Sequence, residues 1–119
     1  MNPSNPESSG NIKVGKVDPK KNRENYFFSD DDKFIHEPIR LLIMAYLYSA
    51  DKADMKYLQK ELQVSWGNLS FHSTKLEERH YISIEKQFIK KKSYTILSLT
   101  GIGRKAFQKY RKNLKKIVF

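Results

Sequence analysis

Hydrophobic residues recur at helical spacing along most of the chain, and the first long run begins at Glu37-Pro38. Proline is tolerated in the first turn of a helix, so a helix is predicted from there to about Ala50. An ordinary surface helix carries one apolar stripe, whereas this segment carries two. We therefore expect it to be covered on both sides, by the domain core and by either the C-terminal helix or a second subunit. The two stripes consist of Ile39, Leu42, Ile43, Tyr46 and Leu47, and of Leu41, Met44 and Tyr48.

Two further helices follow, joined by a connection at residues 63–64. The first spaces its apolar residues Met55, Leu58 and Leu62 three and four apart. The second is predicted over about 65–79, and its outward positions are polar, aromatic or basic rather than acidic. Two helices joined this tightly, the second with a polar outer face, are typical of a helix-turn-helix.

Beyond these helices the apolar period changes from that of a helix to that of strands. A hairpin is predicted over about 82–99, with a basic tip between its two alternating runs. A helix-turn-helix followed by such a hairpin is the layout of a winged helix, in which the second helix enters the major groove and the hairpin contacts the backbone beside it. The runs are Ile82, Ile84 and Phe88, then Thr95, Leu97 and Leu99, and the tip is Lys90, Lys91 and Lys92.

A last helix is predicted after Thr100, which is a suitable cap. Its apolar stripe continues beyond what a small domain needs, so the end of this helix is predicted to pack against another subunit. Together with the second stripe of the first helix, it supplies a predicted dimer interface. The residues of that interface are Leu41, Met44, Tyr48, Phe107, Tyr110, Leu114 and Ile117.

The chain is long enough for one small domain. Residues 1–33 are predicted to be a flexible tail, in which the aromatic residues 26–28 could dock on the domain and Asp30-Asp31-Asp32 could start a helix. Residues 34–119 form the domain, with a polar turn at 51–54. The predicted fold class is α+β and mostly α: a winged helix-turn-helix with a two-stranded wing and a C-terminal dimerisation helix.

Charge is distributed very unevenly along the chain. The net charge is +10, and all of it comes from residues 34–119. No acidic residue follows Glu85, whereas eleven Lys or Arg do. Because this positive half coincides with the hairpin and the last helix, a polyanion such as nucleic acid is a more economical explanation than a solubilising surface.

Several classes of function find no support in the sequence. The chain has no cysteine, so disulfides and thiolate metal sites are excluded. The histidines His36, His72 and His80 fall in separate elements with no acidic cluster, and no cofactor is expected. His36 is predicted to help cap the first helix, and His72 to be structural or to contact phosphate. No nucleophile motif or phosphate-binding glycine loop indicates an enzyme. With no long apolar run and no signal-like N-terminus, we expect a cytoplasmic protein that does not contact the membrane.

The segment from His36 to about Leu114 resembles the winged-helix transcriptional regulators of the MarR/ArsR-like superfamily, in particular small proteins with a "GNLS" signature. That resemblance implies a homodimeric regulator that binds double-stranded DNA. This chain departs from the family at Ser73, where an aliphatic residue is usual, at His80, where glycine is usual, and in a wing without Gly or Pro. The matching segments are 36–41, 67–72, 75–77, 80–82 and 99–107.

The outward face of the third helix and the wing tip supply the predicted DNA contacts. Amide and hydroxyl groups can bond to base edges or phosphates, and Phe71 can touch a thymine methyl group. Trp66 either lies against the DNA backbone or packs on the preceding helix. Two alternatives stay open: a sequence-independent DNA- or RNA-binding protein, and a protein-interaction module. The predicted contacts are Ser65, Trp66, Asn68, Ser70, Phe71, Thr74, Lys75, Lys90, Lys91 and Lys92.

Overall fold

The computed structural model describes residues 28–118 and confirms the predicted fold class, a mostly helical winged helix-turn-helix. Three strands form one antiparallel sheet in the order β1-β3-β2. The helices pack around a single apolar core on one side of this sheet. The described elements are α1 Asp30–Ile35, α2 Pro38–Ala50, β1 Lys52–Asp54, α3 Met55–Leu62, α4 Trp66–Glu78, β2 Ile82–Ile89, β3 Lys92–Leu99 and α5 Gly101–Val118.

The folded domain begins earlier than the sequence predicts. Ser29 caps α1 in a reciprocal capping box with Asp32, as a serine three residues before an acid favours. The Asp32 carboxylate is buried and accepts a hydrogen bond of 2.7 Å from the Asn113 side chain. Phe28 is buried too, so residues 28–33 belong to the domain and the predicted tail boundary at residue 33 is wrong. The remaining tail prediction, on residues 1–27, lies outside the described part of the chain.

Helix α2 occupies the centre of the core. The Glu37 side chain accepts hydrogen bonds of 2.9 Å from the backbone N–H groups of Ile39 and Arg40, and this caps the helix. Leu42, which was assigned to the inner stripe, is instead 43% exposed. The reason is geometric: Ile43 and Met44 share the buried arc, and Leu42 lies one step of about 100° outside it.

The sheet has a strand that the sequence does not predict. The segment assigned to a polar turn contains β1, which pairs with β3 over residues 96–98. Its three residues, Lys-Ala-Asp, are too few to show an alternating pattern and include no β-branched side chain. Its extended form comes from pairing with β3 and from Asp54, which caps α3 immediately afterwards.

Three residues of the predicted dimer interface are buried in the core of their own chain, so the prediction is wrong for them. Met44 is 0% exposed, Phe107 5% and Tyr110 1%. The segment before α2 covers this part of α5: the Tyr110 hydroxyl lies 2.7 Å from His36 Nδ1, and the Phe28 ring packs against Tyr110. Burial, reinforced by the nearby Asp32 carboxylate, raises the pKa of Tyr110 and keeps its hydroxyl protonated.

The other four residues of that interface keep some accessible surface. Leu41, Tyr48 and Leu114 are half-buried, and Ile117 near the end of α5 is 49% exposed. Tyr48 packs against Phe107, so α5 of the same chain covers part of the second stripe of α2. A dimer contact through these four residues stays a prediction.

Candidate nucleic-acid interface

The turn between α3 and α4 is held by two local devices. Gln63 adopts a left-handed conformation (φ 55°), which ends α3 and redirects the chain within three residues. The Gln59 side chain donates a hydrogen bond of 3.0 Å to the Val64 carbonyl across the turn. Ser65 then caps α4 as predicted, because its hydroxyl accepts a bond of 3.1 Å from the Asn68 N–H. These bonds fix the angle between α3 and α4.

The inner side of α4 fastens it to the core. Leu69 and Leu76 are completely buried, as predicted. Between them lies Ser73, which is also completely buried. Its hydroxyl is buried without a hydrogen-bond partner. The side chain therefore contributes neither the packing of an aliphatic group nor a hydrogen bond.

The outer side of α4 presents the predicted contact residues to solvent. Asn68 and Thr74 are exposed, Phe71 is 56% exposed, and Ser70 and Lys75 are half-buried at the edges of the same face. The Lys75 ammonium lies 5.4 Å from the centre of the Phe71 ring and 3.7 Å from Glu78, so it is held over the helix surface. Trp66 in the first turn is 49% exposed, so about half of its surface remains accessible to a ligand.

Two histidines have structural roles. Arg40 donates a hydrogen bond of 3.0 Å to Nδ1 of His72, whose Nε2 lies 3.5 Å from the Glu37 carboxylate. In the tautomer that suits both partners, Nε2 carries the proton, and the ring joins α4 to the start of α2.

His36 bonds to Tyr110 rather than capping α2, so the prediction that His36 helps to cap this helix is wrong. Within residues 28–118 no three His, Asp or Glu residues converge on a metal site.

The wing is a regular hairpin in which Ile89 pairs with Lys92. Only Lys90 and Lys91 form the tip, and Lys92 belongs to β3, which corrects the predicted three-residue tip. Both tip residues are left-handed, with φ of 51° and 65°. This is the two-residue turn that the twist of a hairpin favours, and it normally contains Asn-Gly.

The wing cations have no acidic partners, unlike other cations of the fold. Arg79 pairs with Asp31 at 2.8 Å, and Arg104 forms an ion pair with Asp51. By contrast, no described carboxylate lies within ion-pair distance of Lys90, Lys91 or Lys92. The wing therefore projects uncompensated positive charge away from the domain, as a contact with phosphate requires.

Phe88 is a candidate contact that is absent from the predicted set. Its position in the alternating run is on the same face as Ile82, yet it is 75% exposed. The reason is that β2 and β3 extend past the helices, so the core ends before this residue. Its place between Lys86 and the basic tip is the signal that could have identified it.

Comparisons with known proteins agree with this geometry. Residues 39–118 match the sequence family described as winged helix DNA-binding domain. An uncharacterized protein of Methanocaldococcus jannaschii is 36% identical over 78 residues, which are 66% of this chain and 85% of that protein.

Solved structures share the fold. A transcriptional regulator homologue from Pyrococcus horikoshii superposes with a TM-score of 0.72 at 25% identity, over 80% of this chain and 92% of its own. AbfR of Staphylococcus epidermidis has a TM-score of 0.64 at 17% identity, over 81% of this chain and 67% of its own.

No helix among residues 28–118 is long and apolar enough to cross a bilayer.

Proposed function

Since the chain belongs to the winged helix DNA-binding domain family, we propose that it is a cytoplasmic transcription regulator that binds double-stranded DNA as a homodimer and reads its sequence. One observation carries the proposal. The exposed face of α4 and the uncompensated basic wing are consecutive along the chain, with only residues 79–81 between them. The likeness to the Pyrococcus horikoshii transcriptional regulator homologue supports the regulatory role.

Helix α4 is suited to the major groove. The groove is about 12 Å wide and admits one helix, and its base edges offer donors and acceptors that distinguish all four base pairs. Asn68 and Thr74 supply amide and hydroxyl groups on the exposed face, and Phe71 supplies an apolar surface for a thymine methyl group. Ser65, Trp66 and the N-terminal turn lie where a phosphate would meet the free N–H groups of the helix.

The wing is suited to the backbone beside that groove. Lysine is a compact point charge that binds phosphate without reading sequence. A strand of eight residues spans about 26 Å. The grooves on one face of a duplex repeat every 34–36 Å or so, and the phosphates and minor groove next to the occupied major groove lie well within one repeat. The hairpin is therefore long enough to reach them from the end of α4.

A homodimer would place two such units on one face of the duplex. We assign the contact to the accessible residues Leu41, Tyr48, Leu114 and Ile117. The two recognition helices would then contact half-sites one helical turn, or a multiple of it, apart. If charge alone were responsible for binding, the protein would instead be a sequence-independent DNA- or RNA-binding protein.

Substitutions in the wing and in α4 should have different effects. Replacing Lys90, Lys91 and Lys92 with alanine removes three phosphate contacts per subunit. Each contact contributes about 0.9 to the slope of log affinity against log salt, so the slope should flatten by up to roughly three units per subunit. The affinity for every DNA sequence should fall by about the same factor. Asn68→Ala with Lys75→Ala should instead lower the ratio of specific to random affinity by about tenfold or more. The measurement is a salt titration of selected and random duplexes.

A matched control separates wing position from net charge. The triple variant Lys109→Ala, Lys112→Ala and Lys116→Ala removes the same charge from exposed positions of α5. We expect it to change the salt slope much less than the wing variant does. Equal slopes for wild type and wing variant would contradict the assignment of the wing, and unchanged specificity in the α4 variant would contradict the assignment of the recognition helix.

A further inference from the structure

The most exposed large apolar side chain of the described residues lies near the wing tip. Phe88 is 75% exposed, and its neighbour Ile89 is 48% exposed. Phe88 is paired across the hairpin with Ser93, whose small side chain cannot cover an aromatic ring. A single exposed apolar residue is common on protein surfaces, so the exposure needs a second observation before it indicates a ligand.

That second observation is the backbone of the turn beside it. Lys90 and Lys91 both occupy the left-handed region, which costs an L-residue such as lysine roughly 1–2 kcal/mol relative to glycine. Asn-Gly would fold this turn with less strain. The sequence therefore has positive charge at the tip in place of the residues that stabilise it best, and such strain is characteristic of functional positions.

The surroundings of Phe88 indicate the chemistry of its partner. Lys86 is exposed on the same face of the hairpin, and Lys90 and Lys91 are exposed at the tip beside it. The nearest acid in sequence, Glu85, points to the opposite face, as does Lys92, which is paired with Ile89. An apolar partner protein would leave these ammonium groups without counter-charges. A duplex offers both features at once, since phosphates line the groove and base pairs are stacked between them.

We propose that Phe88 is a wedge that enters the minor groove and inserts partway between two base pairs, while the surrounding lysines bind the flanking phosphates. Apolar side chains used in this way unstack a base step and kink the duplex towards the major groove by 20–90° or so. Steps that unstack readily, such as TA, would then be preferred below the wing without any hydrogen bond to a base. The inference rests on the proposed DNA-binding function and adds a second, shape-dependent source of specificity.

The test uses the full chain and an alternating adenine–thymine duplex of about 30 base pairs. The duplex carries a dye at each end, and 2-aminopurine replaces some of its adenines so that fluorescence reports unstacking. At saturating protein and about 50 mM salt, we expect the wild type to raise the 2-aminopurine signal and to bring the ends closer together. Phe88→Ala should abolish both signals and weaken binding about tenfold, with an unchanged salt slope.

Three further variants make the comparison sharp. Phe88→Leu retains an apolar wedge and should retain part of both signals. Lys90→Gln with Lys91→Gln should flatten the salt slope but retain the kink at saturation. Ile102→Ala removes a side chain that is 59% exposed, at the end of the hairpin opposite the tip, and should change nothing. Because Phe88 and Ile102 lie outside the core, all variants should melt close to the wild type.

Each contrary outcome has one interpretation. If the wild type binds the duplex without unstacking or bending it, the wedge is wrong and the proposed function stands. If Phe88→Ala retains both signals but alters the mass in light scattering, Phe88 is a contact between copies of the chain and the wedge is wrong. If the wild type does not bind the duplex at low salt, both the wedge and the proposed function are wrong.

Discussion

Replacing Ile117 with aspartate should convert the proposed dimer into monomers and weaken DNA binding sharply. Ile117 is 49% exposed near the end of α5, so its own domain covers only about half of it. Burying the half of this side chain that is still exposed is worth about 0.7–1.5 kcal/mol, an aspartate there would also have to be desolvated, and a two-fold interface contains the position twice. The dimer dissociation constant should therefore rise by roughly 10²–10⁴-fold. Light scattering at micromolar protein, alongside a DNA titration, measures both effects.

The adjacent residue provides the control for charge. Lys116→Gln changes the net charge by the same amount as Ile117→Asp, at an exposed position of the same helix. This variant should remain dimeric. A wild type that is monomeric at micromolar concentration, or an Ile117→Asp protein that remains dimeric, would contradict the assignment of the interface to the end of α5.

Replacing Gly103 with alanine should destabilise the domain severely. Gly103 is buried where α5 begins, and its N–H donates a hydrogen bond of 2.9 Å to the Thr100 hydroxyl, which caps the helix. A Cβ atom there would overlap the backbone carbonyl of Tyr81 and lie 3.0 Å from a Leu99 methyl group. The obstacle is backbone held by the Thr100–Tyr81 hydrogen bond, so it cannot rotate away.

We expect a loss of about 3 kcal/mol or more, which lowers the melting temperature by roughly 12–24 °C for a domain of this size. The control is Gly101→Ala, where an added Cβ meets nothing within 4 Å. Because alanine is the better helix former, that variant should be neutral or up to about 1 kcal/mol more stable. Urea unfolding followed by circular dichroism distinguishes the two. Equal stability of both variants would show that α5 can shift at its start.

The parts of the fold that sequence predicts well are those whose signal is local. Helix α2 begins at Glu37-Pro38 and α4 is capped by Ser65, both as predicted, because capping depends on side chains within three residues. The period change at Ile82 correctly identifies the hairpin. The helix start predicted at Asp30-Asp31-Asp32 is present as α1, but its place in the domain was missed because it depends on a distant partner, Asn113 for Asp32. Strand β1 was missed because it is short and depends on pairing with β3.

The contact residues of α4 were predictable from the sequence, whereas Phe88 in the wing was not. Polar residues opposite Leu69 and Leu76 had to lie outward once α4 was known, so the exposure of Asn68 and Thr74 follows from periodicity. Periodicity also assigned Tyr110 to a dimer surface, and it did not single out Phe88 as a contact. Both outcomes have one cause, since a pattern gives the direction of a side chain but not where the neighbouring elements end.

The claim that the protein reads DNA sequence as a two-fold dimer is tested most directly by selection from random duplexes. Wild-type protein is incubated with the pool at a salt concentration where non-specific complexes dissociate, and the retained DNA is sequenced over several rounds. The account predicts enrichment of two inverted half-sites whose centres lie about 10 base pairs, or a multiple of that, apart. A recovered pool no different from the starting pool, from protein that still binds duplex DNA at low salt, would contradict it and identify a sequence-independent binder.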